Sequence, residues 1–182
     1  CPKSPRHLDL IAAAALFERA RGRAKVVAVT VDADDALLTE IALILQPDLV
    51  QLHGSETPER AAQARLLTGA EVIKALPVRT AADLDAAAAF APAVDWLMFD
   101  AKPPEGALLP GGVGASFDWS LLGGRRFDRP WFLAGGLSPN NLAEAARITR
   151  APAVDVSSGV ESAPGVKDPV RIAAFLEAAR SA

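Results

Sequence analysis

Cysteine, histidine and tyrosine are almost missing from this chain: one cysteine (Cys1), two histidines and no tyrosine in 182 residues. A single thiol excludes an internal disulfide and fits a reducing compartment. No apolar run approaches the ~20 residues that a membrane-spanning helix needs. No charged-then-apolar leader opens the chain either. Basic tracts are absent: charges of both signs are scattered and the net charge is -3. Neither nucleic acid nor a membrane is therefore expected as a partner. The expectation is one domain over residues 1–182, large enough to bury its own core, in the cytoplasm.

The chain does have a regular alternation. Short β-branched runs read as buried strands at 25–31, 48–53, 71–78, 94–100, 130–136 and 153–156. Segments with helical periodicity or helix-start signals lie between and after them, at 34–45, 57–67, 80–90, 138–148 and 168–180, with a short helical piece at 118–122. Thr57-Pro58, Ser138-Pro139 and Asp168-Pro169 each offer a capping side chain followed by a proline suited to the first helical position. Thr80 with Asp83 reads as a capping box. Repeated strand–helix units predict right-handed crossovers and a parallel sheet. A G-x-G-x-x-G does not follow the first strand, which favours a (β/α)8 TIM barrel over a dinucleotide-binding sheet. Six strands are counted, so a complete barrel requires two more before residue 25.

The unusual polar residues collect at the C-terminal ends of these strands, the end where barrels place their chemistry. Gly135 and Gly136 follow one strand, and Ser157, Ser158 and Gly159 follow the last. Two glycine-bearing turns after the last two strands favour a phosphate site, because glycine lets backbone N–H groups approach it closely, over the alternative that both are only tight turns. Asp100 ends the apolar run "WLMF", which makes it a candidate general acid or a loop cap. His53 is a ligand contact, an acid–base group or a strand-end hydrogen-bonding residue, the last being favoured. Asp95 and Asp155 read as structural. Arg6, in a loop stiffened by Pro2 and Pro5, could clamp a carboxylate with its planar fork. The stretch 109–119 reads as a lid or a flexible connector.

The strings "PKSPR", "VQLHG", "GGVGASFDW", "LAGGLSPNN" and "DVSSGVE" followed by "GVKD" occur in an order and spacing similar to those of the phosphoribosylanthranilate isomerase family. The resemblance covers residues 2–175. It implies a (β/α)8 barrel and a rearrangement of a phosphorylated aminoaldose that needs no cofactor; no metal is expected. It implies Asp100 as general acid, Arg6 as holder of the anthranilate carboxylate, and Gly135, Gly136, Ser158 and Gly159 as the phosphate loops; beside these, His53 is expected to be a further substrate contact. It implies a small phosphorylated substrate and a monomer or homodimer. The family's general base is a cysteine in a "K-x-C-G" motif, which nothing here matches. The expectation is that a strand, a helix and a further strand precede Cys1, and that Cys1 itself is not the base. The lid also departs from the family's "GGTG", having Val113 and Ala115 in and after that motif. Two other readings compete. One is a related phosphosugar barrel such as indole-glycerol-phosphate synthase, with Lys74 as the strand-borne lysine. The other is a non-catalytic barrel that binds phosphate ligands.

Overall fold

The computed structural model describes residues 4–102 and 116–182. Six strands form one parallel sheet in sequential order: β1 (Val27–Thr30), β2 (Leu49–Leu52), β3 (Glu71–Val78), β4 (Trp96–Ala101), β5 (Trp131–Leu133) and β6 (Ala153–Val154). Helices α1 (Leu10–Ala20), α2 (Asp35–Ile44), α3 (Pro58–Thr68), α4 (Ala86–Phe90), α5 (Leu142–Thr149) and α6 (Pro169–Ser181) alternate with them. The strands β2 to β4 read as nearly continuous apolar runs because both faces of a parallel sheet are covered.

The two faces differ. Val50, Leu52, Val72, Leu76, Leu97 and Phe99 pack with helix residues such as Leu38, Ile41, Ala61, Phe90 and Leu142 in the main core. Burying one such side chain contributes about 1.5–3 kcal/mol. The opposite face carries a smaller cluster of Leu49, Ile73, Ala75, Met98 and Ala134. This is the inner face of the barrel, and its alternation places Gln51, His53, Asp100 and Asp155 on the same side. On β1 the inward positions stay open: Val29 is 59% exposed. Among the described residues β1 and β6 are the sheet's edges.

The expected strand–helix pairs recur close to their anticipated bounds, with informative differences. Thr57 and Asp168 cap α3 and α6 as expected, accepting from Arg60 N and from Val170 N and Arg171 N. The Thr80–Asp83 capping box is present, but the first turn of the 80–90 segment, Ala81–Asp85, is a 3-10 helix. Ser138 does not cap α5. The helix begins at Leu142, because the Asn141 side chain closes the turn before it, accepting from Ser138 N (2.8 Å) and donating to Gly136 O (2.9 Å). Helix α1 and a hairpin of β7 (Glu161–Ala163) and β8 (Val166–Lys167) were not among the expected elements. No helix among the described residues is long and apolar enough to cross a membrane.

Candidate active site

Asp100 is the penultimate residue of β4, and its inward carboxyl group is held at both oxygens. Oδ1 accepts from Ala101 N (2.8 Å), and Oδ2 lies 3.2 Å from His53 Nε2. His53 follows β2, where its backbone N–H donates to Thr30 O (2.8 Å). A cleft of roughly 590 Å³ opens here, lined by Val31, His53, Pro77, Asp100 and Lys102 among others. Both residues thus stand at the C-terminal end of the sheet, where the sequence placed them, and the fold brings them within 3.2 Å of one another.

The loop after His53 is fixed from below. Lys74 and Glu56 form a buried ion pair (2.8 Å), with side chains 3% and 2% exposed. Glu56 also accepts from Asp32 N and Gly54 N, each 2.9 Å, while Lys74 donates to Gly54 O (2.7 Å). Burial pushes the Glu56 carboxyl up, but the Lys74 ammonium, with the backbone amides of Asp32 and of Glu56 itself, holds it below the usual range. Gly54 admits no side chain, since a Cβ would collide with Asp32. Lys74 shares the parity of Val72 and Leu76, points under the helices and stacks over Phe90 (5.7 Å). It is on the wrong face for a lysine acting in the barrel mouth, which removes the ground for an indole-glycerol-phosphate-synthase-like reading.

The two glycine turns lie against one another. Gly135 and Gly136 take left-handed φ values of +84° and +68°. A Cβ on Gly135 would collide with Ala101 N and reach within 3.0 Å of Asp100 Oδ1, so this glycine also lets β5 close onto the acid. Ser158 and Gly159 begin a 3-10 turn, Ser158–Val160. A Cβ on Gly159 would strike Leu137 O, directly after the first turn.

Arg6 is bound to Glu161 by two hydrogen bonds of 2.7 Å, from Nε and Nη2. Glu161 also accepts from Lys167 Nζ (2.9 Å) and Gly165 N (3.2 Å). The Arg6 bond leads these donors in outweighing burial, and holds the Glu161 carboxyl down to about 2. Lys167 donates in addition to Ser157 O (2.9 Å). The arginine loop is thus tied to the turn carrying Ser158 and Gly159, a link that no sequence spacing announced.

Asp155, read from the sequence as structural, lies within the electrostatic reach of Asp100 and His53. Its N–H donates to Leu133 O (2.8 Å) at the end of β6, on the inward side. Burial, and then the charge of Asp100, push its carboxyl up to about 6, partly offset by His53 and Lys167. Asp95 is structural as expected, accepting from Val72 N (2.9 Å) and pairing with Arg65. Cys1 and residues 109–115 of the anticipated lid lie outside the described residues. No cluster of metal-ligating side chains occurs among the described residues.

A carboxyl group, an imidazole and two abutting glycine turns at the C-terminal ends of parallel strands define an α/β-barrel enzyme of the phosphosugar-handling kind. Comparison narrows the class. Residues 2–178 match the family described as N-(5'phosphoribosyl)anthranilate (PRA) isomerase. The N-(5'-phosphoribosyl)anthranilate isomerase of Caulobacter sp. (strain K31) is 59% identical over 179 residues, covering 98% of this chain and 84% of that protein. The crystal structure of the Thermotoga maritima phosphoribosyl anthranilate isomerase superposes with a TM-score of 0.85 at 33% identity, covering 100% of this chain and 85% of that one. A structure of such an isomerase with reduced 1-(o-carboxyphenylamino)-1-deoxyribulose 5-phosphate superposes at 0.82, with 31% identity and coverage of 100% and 84%. This chain belongs to the phosphoribosylanthranilate isomerase family.

Proposed function

We propose that this protein catalyses the Amadori rearrangement of N-(5-phosphoribosyl)anthranilate to 1-(2-carboxyphenylamino)-1-deoxyribulose 5-phosphate, a step of tryptophan biosynthesis in the cytoplasm, as a monomer or homodimer. The observation that carries the reading is the family match over residues 2–178 combined with Asp100 and His53 beside two abutting glycine turns. Asp100 gives its proton to the ring oxygen while the anilino nitrogen lone pair expels that oxygen from C1. The ring opens to a protonated Schiff base. A general base, the role the family gives to the cysteine of a "K-x-C-G" motif that residues 1–182 do not contain, takes the C2 proton to leave an enolamine, which tautomerises to the ketone. Arg6, whose fork grips Glu161, exchanges that carboxylate for the substrate's, His53 contacts substrate beside the acid, and Gly135, Gly136, Ser158 and Gly159 hold the phosphate through backbone N–H groups. Fixing both ends positions the reacting carbons under Asp100. No cofactor enters this scheme.

The test is loss of anthranilate-type fluorescence as substrate is consumed. Asp100→Asn is expected to lower kcat by at least ~100-fold, within the usual range for an acid–base group. A variant keeping most of its activity would remove Asp100 from the mechanism. A protein that binds phosphate yet never turns over substrate would favour the binding-module reading.

A further inference from the structure

The His53 ring is held between two side chains of different hydrogen-bonding capacity. Gln51 Nε2 lies 2.8 Å from His53 Nδ1, and Asp100 Oδ2 lies 3.2 Å from His53 Nε2. An amide nitrogen only donates, so Nδ1 accepts and the ring proton sits on Nε2, facing Asp100. Turning the amide over would reverse this assignment. Met98 opposes that turn: its Sδ lies 3.4 Å from the same Gln51 Nε2. A thioether accepts weakly and never donates, so a turned amide would set Oε1 against sulfur. Gln51 is 7% exposed, which leaves water little room to compensate.

We infer that Gln51, with its amide oriented by Met98, is a positioning residue that locks His53 as the Nε2–H tautomer, so that His53 donates to Asp100 and cannot accept its proton. The inference rests on Asp100 being the general acid. Asp100 already accepts from Ala101 N at Oδ1. A His53 with a bare Nε2 would accept a hydrogen bond from protonated Asp100 and hold the acid proton against the barrel wall. Kept as a donor, His53 orients the carboxyl group and leaves that proton only the cleft to face, where the ring oxygen is protonated. Behind the acid, contacts thus run from sulfur to amide to imidazole to carboxyl.

The experiment is long-range ¹H–¹⁵N correlation on the full chain, labelled at its two histidines. Exposed His7 serves as the internal reference. At neutral pH and without substrate, His53 is expected to show one protonated Nε2 and one bare Nδ1. A protonated Nδ1, or an averaged pair of tautomers, overturns the inference. Gln51→Glu offers an acceptor to Nδ1 and is expected to move the proton there, lowering kcat at least ~10-fold with KM changed less than ~2-fold. Should that buried carboxylate prevent folding, Met98→Leu keeps the volume and removes the sulfur. It is expected to release a mixture of tautomers and lower kcat by a smaller factor. His53→Gln, which restores a donor toward Asp100, is expected to retain more kcat than His53→Phe. An unmoved kcat in a folded variant whose tautomer has changed overturns the positioning role. Full activity of Asp100→Asn would instead strike the reaction reading, while the substrate-free spectrum still decides the tautomer.

Discussion

Breaking the Lys74–Glu56 pair is expected to reveal how the His53 loop is supported. Both side chains are almost fully enclosed, and the pair is knitted to Asp32 N, Gly54 N, Gly54 O and Leu52 O. Lys74→Met leaves the Glu56 carboxylate buried with two amides and no cation. Glu56→Gln leaves a buried ammonium, and one amide oxygen where two carboxylate oxygens had accepted from three donors. Removing one partner of such a pair costs about 3–5 kcal/mol, because the other charge stays behind in the dry interior. With a urea slope of roughly 2 kcal/mol/M, each single variant should lose about 1.5–2.5 M in midpoint. The double variant Lys74→Met/Glu56→Gln buries no charge. Its remaining cost is that of unmatched backbone groups, about 2–4 kcal/mol, so the double should cost no more than either single variant. The coupling energy is then about 3 kcal/mol or more. Urea unfolding of the four proteins, followed by circular dichroism at one pH, measures it. Single-variant losses that add within ~0.5 kcal/mol would refute the reasoning, since independent sites behave that way.

Two further outcomes follow from the site. Asp155 keeps its proton to about pH 6 in the fold against 3.8 for the ordinary group, so the folded protein binds more protons between these values. The stabilising share of Asp155 is therefore present below pH 3.8 and lost as pH rises through about 6. A ¹³C carboxyl titration should give a midpoint near 6, and Asp155→Asn should flatten the pH dependence of stability in this window; a midpoint near 4 would contradict the assignment. Gly159→Ala forces a Cβ onto Leu137 O. It should raise KM and the inhibition constant for inorganic phosphate by about tenfold or more, and destabilise by about 1–3 kcal/mol; unchanged constants would show that the two turns do not act together.

Legibility in the sequence follows the range of the interaction involved. Strands and most helix starts depend on local patterning and caps, so Thr57-Pro58 and Asp168-Pro169 were readable, with bounds shifted only by fraying. Ser138-Pro139 misled because the competing Asn141 bonds sit just inside the expected helix, and an Asx-type turn uses the same residue types as a cap. Asp100 and His53 were legible as strand-end residues, since the parallel fold delivers every strand end to one rim. Their hydrogen bond was not, because 47 residues separate them. The raised proton affinity of Asp155 was not legible for a related reason. Alone Asp155 is an acidic residue after a short strand, and only the neighbouring Asp100 charge and the enclosing walls make it unusual. Lys74 shows the limit most sharply: one lysine in an apolar strand is equally compatible with a catalytic amine and a buried strut. Parity decides between them, and parity acquires meaning only once the helices are known to cover the Val72–Leu76 face. The same helices that hide Lys74 leave the opposite face to Gln51, His53 and Asp100, so the strut and the acid are separated by the thickness of one sheet.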